Sequence, residues 1–87
     1  MIKHLRNVEG FQGSLEELAG SIGNMTYDQT ALLIEKLADD IKRQADLDLT
    51  KGRKKLAKEL YSAAEELYKA RDKMELAWKI CEPYMKS

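Results

Sequence analysis

The chain is nearly devoid of the residues that staple, punctuate and catalyse: its 87 positions hold one cysteine, one proline and one histidine. A single Cys81 excludes an internal disulfide framework and suits a reducing compartment. With His4 as the sole imidazole, neither a Cys–His nor a Ser–His–Asp arrangement has much to be built from. Net charge is missing too. Fifteen basic residues balance fifteen acidic ones, so no global field draws the chain to nucleic acid or an anionic membrane. Long hydrophobic runs are also lacking: nothing approaches the roughly 18 apolar residues of a membrane span. Ile2, Leu5 and Val8 are interrupted by Lys3, His4, Arg6, Asn7 and Glu9, unlike the core of a secretory signal. The expectation is a cytoplasmic chain.

Phosphate-cradling glycine loops, zinc-ligand spacings and dinucleotide fingerprints are absent as well. The carboxylates Glu16, Glu17, Glu35, Asp39, Asp40, Glu59, Glu65 and Glu66 fall mainly on outer helix faces. They lack the Glu-x-x-His pairing of helical di-metal sites. A magnesium-dependent helical hydrolase is therefore the least favoured reading, and the expectation is a non-enzymatic protein with no cofactor and no metal.

What the chain does have is apolar residues at helical spacing. It is 44% hydrophobic and 34% charged, too apolar for disorder. A single domain of this size buries about 60% of its unfolded surface, which leaves a thin core. The composition and periodicity predict an all-α fold. An antiparallel helical hairpin carries a short N-terminal helix to make a three-helix bundle, and a second copy extends it into a larger helical bundle. Residues 1–13 read as an N-terminal arm, broken by Gly10 and Gly13 and anchored by Phe11, and residues 14–87 as the bundle domain.

The first helix opens on Ser14 with Glu17 as a capping box, presents Leu15, Leu18, Ala19 and Ile22, and stops near Gly23. A second capping box, Thr26 with Gln29, opens a helix running to Ala45 or Asp46. Its main face is Tyr27, Thr30, Ala31, Ile34, Leu37, Ala38, Ile41 and Ala45. Residues 47–52 read as the connection, with Asp48 or Thr50 capping the third helix. That helix extends from Lys51 to Glu82, where Pro83 stops it, over roughly 45–48 Å. Along it Leu56, Leu60, Ala63, Leu67, Ala70, Met74, Ala77 and Cys81 alternate by four and three. Such a row predicts a seam facing the second helix. Ion pairs are expected between Asp39 and Arg43, Glu65 and Lys69, and Glu75 and Lys79.

Folding the hairpin at residues 49–50 sets Ile41 near Leu60, Ile34 near Leu67 and Tyr27 near Met74, and pairs Arg71 with Asp28. Leu32, Leu33, Leu76, Trp78, Ile80 and Tyr84 then form an apolar end that two helices do not cover. Those six are the expected partner or dimer interface. A second candidate is the basic cluster Lys51, Arg53, Lys54, Lys55 and Lys58, where five cations oppose the helix macrodipole. Such a cluster suits phosphate. The function expected first is a protein–protein interaction or adaptor module that self-associates. The alternative is a nucleic-acid- or phosphate-binding accessory protein using residues 51–58.

Overall fold

A computed structural model describes residues 4–86, so the expectations for Ile2 and Lys3 lie outside the described residues. The chain is all-α. Helix α1 spans Leu15–Gly23, α2 Tyr27–Thr50 and α3 Lys54–Cys81, and a 3-10 turn, Glu82–Lys86, follows at Pro83. The first capping box forms as expected: Ser14 Oγ accepts from the Glu17 N–H at 3.0 Å, and the Ser14 N–H donates to Glu17 Oε1 at 2.9 Å. The second does not form. Thr26 occupies the cap position of α2 but makes no side-chain cap bond to it. The Asp28 carboxyl lies below its ordinary value, with the neighbouring Thr26 hydroxyl as the leading cause.

The connection is shorter and later than its polar residues suggest. Leu47, Asp48, Leu49 and Thr50 are helical, and α3 begins at Lys54 rather than Lys51. The reason is backbone conformation. Gly52 has φ +79° and is the first residue after the predicted boundary able to reverse the chain at little cost. The helix continues until it arrives. Thr50 donates to the Leu47 carbonyl at 2.7 Å, and the Arg53 N–H reaches the Asp48 carbonyl at 2.9 Å. Asp48 closes the end of α2 by pairing with Arg53 at 3.1 Å rather than capping α3, which has no side-chain cap.

Helices α2 and α3 pack antiparallel along nearly their whole length, while α1 touches only α2. Among the described residues, every fully buried hydrophobic residue is an alanine: Ala31, Ala38 and Ala45 on α2, Ala57 and Ala64 on α3. Each set repeats every seven residues, which keeps one line of side chains toward the partner. Alanine at a helix contact favours the short end of the roughly 8–10 Å range of interaxial distances. It also buries little area.

The seam predicted on α3 is therefore turned. Leu60, Leu67, Met74 and Cys81 are half-buried beside the contact, and Leu56, Ala63 and Ala70 are exposed. The line facing α2 runs through Ala57 and Ala64, with half-buried Arg71 and Trp78 continuing the same heptad position. On α2 the expected face holds at Ala31, Ala38 and Ala45, whereas Tyr27 and Leu37 stay exposed.

The result is elongated and flat, 54 × 29 × 14 Å, with a radius of gyration of 15.7 Å against about 12 Å for a compact chain of this length. Its accessible surface is 7066 Å², whereas a folded monomer of 10.0 kDa exposes about 5,200 Å².

Candidate interaction surface

Three cross-helix pairs orient the hairpin. The Tyr61 hydroxyl donates to Asp46, the Tyr68 hydroxyl donates to Asp39, and Arg71 Nη1 reaches Glu35 Oε1 at 2.6 Å. At about 100° per residue, Tyr61, Tyr68, Asp46, Asp39 and Glu35 lie to one side of the alanine line, and Arg71, on the line itself, reaches toward that side. On this polar flank the Asp46 carboxylate raises the Tyr61 phenol above its ordinary value, and the Asp39 carboxylate does the same to Tyr68. Glu35, ahead of Asp72, raises Arg71 further, and the guanidinium lies 5.2 Å from the centre of the Tyr68 ring.

Arg71 thus pairs with Glu35 and not with Asp28. The fold point lies at Gly52 rather than at 49–50, so α3 is carried further along α2, and Glu35 stands two turns beyond Asp28. The expected pairs along each helix also move by a residue. Tyr68 occupies Asp39, and Arg43 binds Asp40 at 2.9 Å instead. Lys69 binds Glu66 at 3.2 Å rather than Glu65, and Glu75 stands 4.0 Å from Arg71.

The same rotation puts Ile34, Leu37 and Ile41 of α2 on the opposite flank, together with Leu60, Ala63, Leu67, Ala70 and Met74 of α3. All eight are apolar and none is fully buried; Leu37 is 49% exposed. One hydrogen bond and one shared hollow place the N-terminal segment on this side. The Thr30 hydroxyl donates to the Ile22 carbonyl at 3.1 Å, fixing the end of α1 near the start of α2. At the connection His4 shares a hollow of about 180 Å³ with Gln44, Leu47, Asp48, Lys51, Arg53 and Leu56. Between these points Phe11, Leu18 and Ile22 are half-buried, while Leu5, Val8 and Leu15 remain exposed.

The six residues expected at an uncovered end are distributed around the rods. Leu32, Leu33, Leu76, Ile80 and Tyr84 are exposed, Ile80 by 70% and Tyr84 by 78%, and Trp78 is half-buried. By helical angle Leu32 lies toward the polar flank and Leu33 toward the apolar one, while Leu76 and Ile80 lie on the back of α3. Sequence reasoning assigned the apolar flank to the core, because a regular row of Leu and Ala is equally good at meeting an intramolecular or an external helix. The tyrosine–aspartate pairs carried a usable signal: Tyr61 and Tyr68 are seven residues apart, and so are Asp39 and Asp46.

The basic cluster surrounds the connection. Arg53 is paired with Asp48, and Lys51, Lys54, Lys55 and Lys58 make no ion pair among the described residues. No group of three or more His, Cys, Asp or Glu side chains among those residues is placed to hold a metal ion. None of their helices is long and apolar enough to cross a membrane. The chain matches no family model, no curated protein and no solved structure.

Proposed function

We propose that the chain is a protein–protein interaction module that docks another apolar helical surface on the flank built from Ile34, Leu37, Ile41, Leu60, Ala63, Leu67, Ala70 and Met74. One observation carries the reading: the flank sets eight apolar side chains in one row, none of them fully buried, with Leu37, Ala63 and Ala70 exposed. Helical domains bury apolar faces against a second layer, and the N-terminal segment on this side leaves Leu37, Ala63 and Ala70 exposed. The polar flank needs no partner, since its tyrosines and arginine are satisfied across the pair.

A benzophenone amino acid placed at position 37, in the native lysate, is expected to give protein adducts on illumination. The same group at position 36, on the outer side of α2, is expected to give none. Equal labelling at both positions, or none at 37, refutes the reading. A second reading has the lysines at the connection in its favour, since four of them are free to meet phosphate beside the uncapped start of α3. Salt-sensitive retention on a phosphate-rich column, lost in Lys54→Glu with Lys55→Glu, is its signature.

A further inference from the structure

We propose that the N-terminal segment, residues 4–23, is a displaceable cover for the apolar flank, standing in for the helix that docks there. The inference rests on the interaction reading and adds its regulation. Placement comes first. His4 lines the hollow at the connection beside Asp48, and Ile22 is bonded to Thr30 near the start of α2. Thr30 and Asp48 lie roughly 27 Å apart along α2, so the segment runs the length of the flank. Its chemistry is that of a docked helix. Leu18 and Ile22 share one face of α1, and both are half-buried, as is Phe11. The cover is partial. Ile34, Ile41, Leu60, Leu67 and Met74 are half-buried, whereas Leu37, Ala63 and Ala70 stay exposed and give an incoming helix its foothold.

The hold is weak, as a displaceable cover requires. No residue of α1 is buried. The ion pairs among the described residues all join positions of α2, α3 or their connection. At nine residues α1 is shorter than the ~12–15 below which an isolated helix is marginal in water. Four of the chain's five glycines, Gly10, Gly13, Gly20 and Gly23, fall within the segment. Gly20 lies inside the helix, where glycine gives up the most chain entropy on folding. Helices α2 and α3, by contrast, pack along nearly their whole length. The segment therefore detaches while the hairpin stays folded. In the closed state it lowers the flank's apparent affinity in proportion to the fraction of chains that are open.

Two variants of the full chain move the cover in opposite directions. Phe11→Ser removes its half-buried ring and opens it. Gly20→Ala closes it, because a Cβ at Gly20 meets no atom within 4 Å and alanine favours the helix. The probe is anilinonaphthalene sulfonate, a dye that brightens on exposed apolar surface. Its emission is expected to rise about threefold in Phe11→Ser and to fall in Gly20→Ala, with cooperative unfolding of the hairpin retained in both. In the parent chain, amides of α1 are expected to exchange about 100-fold faster than those of Ala38 and Ala45. Equal protection overturns the cover. So does a dye signal indifferent to both variants, or one that rises only when cooperative unfolding is lost. Adducts at position 37 are expected to increase in Phe11→Ser and to decrease in Gly20→Ala. If position 37 gives none while the dye responds, the interaction reading fails and the cover stands. If all three chains give equal adducts, the cover fails and the interaction reading stands.

Discussion

Replacing Ala64 by leucine tests the packing directly. Ala64 is 2% exposed and lies on the alanine line by which α3 meets α2. Leucine adds three carbon atoms where the two backbones are close, so the helices must part or the side chain must leave its preferred rotamer. Overpacking of this kind costs about 1–3 kcal/mol. The whole chain of 87 residues has about 4–13 kcal/mol of stability to lose. At roughly 4–8 °C per kcal/mol for a domain of this size, a 2 kcal/mol loss lowers Tm by about 8–16 °C. Thermal unfolding followed by circular dichroism at 222 nm reads the shift. Ala63→Leu, one residue earlier and exposed, is the control. At protein concentrations low enough to keep the chain monomeric it should stay within about 0.5 kcal/mol of the parent. If Ala63→Leu proves the more damaging of the two, α3 meets α2 through its leucine seam and the alanine line is wrong.

Two further outcomes follow from the polar flank. Arg71 and Glu35 should couple in a double-mutant cycle built on Arg71→Met and Glu35→Gln, the coupling shrinking as salt is added. By contrast, Asp28→Lys is expected to gain no rescue from Arg71→Asp, and a clear rescue would restore the register that pairs Arg71 with Asp28. The Tyr61 and Tyr68 phenols are raised above their ordinary value of 10.0 by Asp46 and Asp39. Their pairs therefore contribute stability fully present below pH 10.0 and lost as pH rises through the raised folded values. Asp39→Asn with Asp46→Asn should bring the tyrosinate absorbance in at lower pH, and an unchanged titration curve would contradict the pairing.

Local chemistry was legible wherever a few neighbouring residues settle the outcome. Ser14 and Glu17 cap α1 because both partners lie within one turn. Pro83 ends α3 because it fixes its own φ and has no N–H to give. The helical class followed from apolar spacing alone. The connection was not legible: Asp48 and Thr50 look like caps, but the chain reverses where a positive φ is cheapest, at Gly52. That shift of a few residues moves every cross-helix pair, which is why Arg71 meets Glu35.

By itself the sequence determined that the chain is helical, where α1 begins and α3 ends, and that more apolar surface exists than one hairpin hides. Only the tertiary structure decided which apolar row is used inside. The leucine row and the alanine row lie about a quarter turn apart on α3, and both satisfy a seven-residue repeat. The pairs made by Tyr61, Tyr68 and Arg71 require the rotation that presents Ala57 and Ala64 to α2. Once those alanines are inside, the leucines stand at the side, toward whatever covers the flank.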